Sequence, residues 1–172
     1  MVIINLKRSL LKGFISFLIL FSLQAKAQTE NDFEQFNRDL YTLIADTAEI
    51  PKLEYIRIKT YNQLIDEQDW PDSKKEEVKL RVQKSYPYEY EEFHKRLGLI
   101  VDYYQEGIKN GGRLEYLSYS YEEHPYWKNR YIVNLRLLFS SEEMISTVNF
   151  EYHLYYSGKA LLFIGDQISE SY

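Results

Sequence analysis

The sequence predicts an α+β protein: three short helices and one long one, followed by a four-stranded antiparallel β-meander packed on the long helix. Two observations carry this prediction. Up to about residue 110, apolar side chains recur at spacings of three and four; after Gly112 they alternate with a period of two. The connections after Gly112 are also short, which suits sequential antiparallel strands. Helices segregated from strands along the chain define the α+β class.

The elements come in order. Phe33, Phe36, Leu40, Leu43 and Ile44 mark one apolar face of a first helix. Pro51 suits the first turn of a second helix, with Leu53, Ile56, Leu64 and Ile65 on its face, ending before Asp69-Trp70-Pro71. Ser73 and Glu76 have the spacing of a capping box for a short third helix bearing Val78 and Val82, which Tyr86-Pro87 is expected to break. The fourth helix is the long one. Tyr90, Phe93, Leu97, Ile100, Val101, Tyr104 and Ile108 form its stripe, and Gly111-Gly112 offers a left-handed cap.

Four strands are then expected. They cover 113–121, 131–139, 148–156 and 159–165, the last two joined by a two-residue turn at Ser157-Gly158. Asn134, Arg136, Asn149, Glu151 and His153 fall on the face away from the core. The helical part thus runs over about 31–110 and the sheet over about 113–166, within a single domain of residues 28–172.

Residues 1–27 read as a cleavable signal peptide. Lys7, Arg8 and Lys12 precede the apolar run 13–23, and Ala25-Lys26-Ala27 has small residues at the positions a signal peptidase requires. Eleven apolar residues fall short of the roughly 20 a spanning helix needs, so no membrane span is expected after cleavage. The expected location is the periplasm or the medium of a bacterium. Without the leader's four basic residues, 17 basic face 26 acidic residues, a formal charge of −9. That balance argues against nucleic acid and favours a basic partner. The chain has no cysteine, so the domain must hold by packing alone. It has 17 tyrosines, whose apolar faces and polar tips suit half-buried strands and binding surfaces alike.

The order of helices, long helix, Gly111-Gly112 and four-stranded meander over residues 86–165 resembles the cone-shaped nuclear-transport-factor-2-like and cystatin-like folds. In those folds a curved sheet wraps a long helix. The stretch Tyr155-Tyr156-Ser157-Gly158-Lys159-Ala160-Leu161-Leu162-Phe163-Ile164 also resembles the closing hairpin of small uncharacterised exported bacterial α+β proteins. Neither resemblance implies an activity.

Glu122, Glu123, His124, Tyr126 and Trp127 are the candidate binding residues. Around Pro125 they gather two carboxylates, an imidazole and two aromatic rings at one end of the sheet. A carboxylate beside His124 would raise its pKa and suit it to proton transfer. The plainer reading is an exposed turn with Trp127 folded onto the sheet edge. Glu151 and His153 share a strand face, but two ligands make no zinc site. No nucleophile elbow or phosphate-cradling glycine loop is present, and no catalytic residue, metal or cofactor is expected.

The expected function is therefore an exported, non-catalytic binding domain for a protein or cell-envelope component. The alternative is a small-ligand pocket or enzyme in a cone-shaped fold, with Tyr104, Tyr116, Tyr131 and Tyr152 lining a cavity between long helix and sheet. Sugar recognition by stacked Tyr and Trp is a third reading, for which Trp70 and Trp127 lie far apart in sequence.

Overall fold

The computed structural model describes residues 29–46 and 53–171. The expected signal peptide and Pro51 lie outside the described residues. Contacts divide the chain between Gln35 and Phe36. In the first unit, residues 29–35 are helical, with Phe33 buried. The second unit, from Phe36 onward, holds the remaining helices and the whole sheet. Among the described residues no helix is long and apolar enough to cross a membrane.

The elements are α1 (29–45), α2 (Ile58–Asp66), α3 (Asp72–Lys109), β1 (Arg113–Glu123), β2 (Arg130–Ser140), β3 (Ile145–Tyr156) and β4 (Leu161–Ser171). The four strands form one antiparallel sheet in sequence order. The expected α+β class and meander are therefore present, and β1 to β3 lie close to their expected places; β4 runs on to Ser171, past the expected end of the sheet at about 166, because residues 168–171 still pair with 149–152 of β3. The closing turn differs. Tyr156 pairs with Leu161, so four residues form the loop, with Gly158 at φ +79° and Ser157 Oγ 3.1 Å from the Ala160 N–H it accepts.

Alternation puts Val133, Leu135, Leu137 and Phe139 of β2 and Val148, Phe150, Tyr152 and Leu154 of β3 on one buried face. Two helices cover it. From α1, Phe36 packs on Tyr152 and edge-on against Phe163 of β4, with ring centroids 6.3 and 5.0 Å apart. From α3, Tyr104 packs edge-on against Phe139 and Phe150, and Phe93 lies 4.6 Å from Phe163. The Tyr152 hydroxyl donates to Asn37 Oδ1 at 2.5 Å, so two buried polar groups satisfy each other.

Three helical expectations need correction. First, no break occurs at Tyr86-Pro87. The expected third and fourth helices are one 38-residue helix with Pro87 inside it. Interior proline forfeits a backbone hydrogen bond and costs about 3 kcal/mol. Packing on both sides overrides that cost: Val78 and Val82 are buried before Pro87, and Phe93 and Ile100 after it. The exposed position of Pro87 also leaves the unbonded Gln83 carbonyl near water. Second, the Ser73–Glu76 capping box does not form. Pro71 occupies the cap position with no side-chain bond, and Glu76 bonds Lys79 instead.

Third, α2 begins only at Ile58. Residues 53–57 are extended, with Tyr55 bridging in parallel to Phe163 through Ile56 N–H to Phe163 O (2.8 Å) and Phe163 N–H to Glu54 O (2.9 Å). The open edge of β4 supplies unpaired backbone groups, and these outbid helix formation.

The expected cap at the end of α3 is present. Gly111 has φ +89°; its N–H reaches Ile108 O, and the Gly112 N–H reaches Gly107 O at 2.9 Å. Both bonds of a Schellman motif are therefore made. A side chain at Gly112 would also press on the Phe139 ring, 2.9 Å from where its Cβ would lie.

Two stability measurements check these assignments. Pro87→Ala restores the missing bond within α3 and is expected to stabilise the protein by about 1–3 kcal/mol in urea denaturation. A destabilised variant would mean that the helix depends on its proline. Tyr152→Phe removes the buried hydrogen bond from the Tyr152 hydroxyl to Asn37 Oδ1 and is expected to cost about 1 kcal/mol in the same denaturation.

Candidate functional site

The β1–β2 connection is shorter than the sequence suggests. Glu122 and Glu123 are the last residues of β1, opposite Ile132 and Tyr131, and only 124–129 form the loop. Pro125 occupies the second position of a turn closed by Trp127 N–H to His124 O at 3.3 Å. The His124 N–H donates to Arg130 O at 2.7 Å, and Tyr156 N–H ties the loop to β3 through Asn129 O. Asn129 has φ +59°, a conformation that asparagine tolerates better than most residues.

A second segment, to which no local sequence signal points, completes the site. The turn from α2 into α3 (residues 67–71) docks on this loop. The buried Gln68 holds both sides, donating through Nε2 to Leu64 O at 2.7 Å and accepting the Lys128 N–H at 2.8 Å. Lys128 Nζ pairs with Asp69, and Asn129 Nδ2 donates to Glu67 at 3.3 Å. The Lys128 ammonium holds the Asp69 carboxyl below its usual range, although so exposed a pair adds little stability.

The two tryptophans, 57 positions apart, meet here. Their rings lie 4.8 Å apart at 80°, edge to face, and Tyr61 of α2 flanks Trp127 at 6.3 Å. Lys74 Nζ sits 4.5 Å from the Trp70 centroid, and the Arg130 guanidinium 5.6 Å from that of Trp127. Trp127 therefore folds back, but onto α2 and Trp70, not onto the sheet edge alone. Its fixed position leaves Tyr126 beside it 78% exposed. Gln68, Asp69, Trp70, Glu123, His124 and Tyr126 line an open cleft of about 410 Å³.

The chemistry of His124 reverses the expectation. Its Nδ1 accepts the Tyr126 N–H at 3.2 Å, so that nitrogen carries no proton and the ring is the neutral Nε2–H tautomer. Burial and then the Arg130 guanidinium push its pKa down, so no neighbouring carboxylate raises it. His153, 6.0 Å from His124, accepts from Arg130 Nη2 at 2.5 Å, while its expected companion Glu151 points to solvent. Among the described residues no three metal-ligating side chains gather.

The tyrosines expected to line an interior cavity do not converge on one. Tyr104 and Tyr152 are sealed in the core, Tyr116 packs edge-on against Tyr41 of α1 at 5.8 Å, and Tyr131 packs against Tyr121 at 5.9 Å. Burial pushes the Tyr152 hydroxyl pKa well up, as expected for a group that donates to Asn37.

Comparison of the chain with protein-family models, with curated proteins and with solved structures found no match in any of the three.

Two measurements test the site's construction. A Trp70→Ala and Trp127→Ala double-mutant cycle is expected to show a coupling of about 1 kcal/mol in folding stability; additive effects would mean that the rings do not meet. The lowered His124 pKa means that the unfolded chain takes up the proton first. Stability is fully present above about pH 6.5 and is lost as pH falls through the depressed folded value. His124→Asn, whose Oδ1 can accept the Tyr126 N–H, is expected to flatten that fall in urea denaturation; an unchanged slope would assign it elsewhere.

Proposed function

We propose that this protein is an exported, non-catalytic binding domain. It engages a basic protein or cell-envelope component through the surface built by residues 124–129 and 67–71. The observation that carries the reading is Tyr126, which is 78% exposed on a loop braced from behind by the Trp70–Trp127 pair and the Gln68 bonds. An aromatic side chain held out by a rigid support costs little further ordering on binding, and Tyr is enriched at interface centres. Glu122 and Glu123 at the end of β1 are exposed beside it and supply negative charge. His124 is a supporting residue, because its Nδ1 is committed to the loop backbone.

Export rests on the character of residues 1–27 and the bacterial setting on the absence of cysteine. The likeness to cone-shaped folds rests on element order. An enzyme or ligand cavity beneath the sheet has less support, since Tyr104 and Tyr152 are packed against other rings.

The test is capture from envelope extract of the source cells, with the tagged full chain as bait. One partner is expected in near-stoichiometric amount, lost with Tyr126→Ala at unchanged melting temperature. Its retention is expected to fall as salt rises from about 50 to about 300 mM, because screening weakens exposed charge pairs. Retention by the Tyr126→Ala variant would remove this surface from consideration, and salt-independent binding would remove the electrostatic part.

A further inference from the structure

A second cleft, of about 520 Å³, lies on the other side of α2 in sequence, between the extended segment 53–57 and α3. Tyr86, Tyr90 and His94 stand at i, i+4 and i+8, so their side chains form one row along α3. Their rings are 6.1 and 4.2 Å apart and tilted by 31° at each step. Tyr55 closes the corner, nearly perpendicular to Tyr90 (88°, 5.4 Å) and at 60° to His94. Tyr90 belongs to the apolar stripe that the sequence predicts for the core, yet it is 44% exposed, on the rim of this cleft.

The walls are held in place. The Tyr86 hydroxyl donates to Ile56 O at 2.9 Å and that of Tyr55 to Gly165 O at 3.0 Å. The carrying segment is bonded to Phe163 of β4 on both sides of Tyr55. His94 Nδ1 lies 2.9 Å from Tyr90 O; a carbonyl only accepts, so Nδ1 holds a proton.

Two opposite charges border these rings. Glu54 and Arg57 both line the cleft, both are exposed, and neither side chain has a hydrogen-bond or ion-pair partner among the described residues. Burial and then Tyr90 push the Tyr86 hydroxyl pKa up, and Arg57 lies close enough to offset part of that rise. An exposed aromatic ring and a carboxylate lining the same cleft suit an organic cation, and a guanidinium suits a phosphate or carboxylate. A ligand bearing one charge alone would leave one of these residues unmatched.

We propose that this cleft binds a small zwitterion that carries a quaternary ammonium group and a phosphate, the chemistry of choline phosphate. The ammonium lies against the exposed Tyr90 ring with Glu54 beside it, and the phosphate pairs with Arg57. A quaternary head fits better than a primary amine. It brings no N–H groups to satisfy, and the hydroxyls of Tyr55 and Tyr86 are already committed to backbone carbonyls. The site is separate from the Tyr126 surface, and neither reading needs the other.

The experiment is calorimetric titration of the full chain with choline phosphate, tetramethylammonium and inorganic phosphate. Saturable 1:1 binding of choline phosphate is expected in the millimolar range or tighter, with each single-charge probe at least about tenfold weaker. Tyr90→Ala is expected to weaken choline phosphate and tetramethylammonium alike by about tenfold. Arg57→Ala is expected to weaken choline phosphate to the level of tetramethylammonium and leave tetramethylammonium unchanged. Both residues are exposed, so unchanged melting temperatures check that the variants fold.

Phosphatidylcholine vesicles form a second arm. Vesicle binding displaced by soluble choline phosphate identifies the source as a lipid headgroup, and binding of the soluble compound alone identifies a free metabolite. No saturable binding of choline phosphate by the wild-type chain would overturn the proposal. So would binding that neither substitution alters, or phosphate binding as tight as that of choline phosphate.

Discussion

The apolar face of a four-stranded sheet must be kept dry, and in this protein aromatic rings do most of that work. Tyr104 from α3 meets Phe139 and Phe150, and Phe36 from α1 and Tyr152 of β3 both meet Phe163 of β4, at steep ring angles. Large rings bury much area per residue and interlock edge to face, which suits a domain without disulfides. The cost is a polar tip on each tyrosine. The Tyr152–Asn37 bond meets that cost at the centre, and the Tyr41 hydroxyl donates to Leu114 O at the periphery.

The two open clefts arise from the way the helices reach the sheet. Segment 53–57 is drawn to the open edge of β4, so α2 starts late and Tyr55 is delivered against Tyr86 and Tyr90. At its other end, α2 turns through Gln68 and sets Trp70 against Trp127. One nine-residue helix thus separates two aromatic clusters, each pinned by backbone hydrogen bonds. In both, side chains held by the scaffold leave one tyrosine, Tyr126 or Tyr90, exposed at the rim.

The histidines illustrate how the backbone decides chemistry. His94 and His124 both use Nδ1 on a main-chain group, but His94 faces a carbonyl and His124 an N–H. The first must carry a proton on Nδ1 and the second cannot, so the second ring is left to donate through Nε2. Burial and Arg130 also push the His124 pKa down, which favours the neutral ring that accepts the Tyr126 N–H and so supports its loop.

Local signals determined much of this protein. The change of period at Gly112, the stripe from Phe93 to Ile108, the alternation in β2 and β3 and the Gly111-Gly112 cap were all legible, because each depends on residues within a turn or two of one another. The loop around Pro125 was legible as a place but not as a site. Its partner, the 67–71 turn, lies about 60 residues away, and nothing in the sequence pairs Trp70 with Trp127. Tertiary structure also decided that α3 runs through Pro87, that 53–57 is extended and that Tyr90 leaves the core. In each case packing or sheet-edge hydrogen bonds of a few kcal/mol outweigh local preferences of about 1–3 kcal/mol. Local sequence records those preferences; the contacts that override them exist only once distant segments have met.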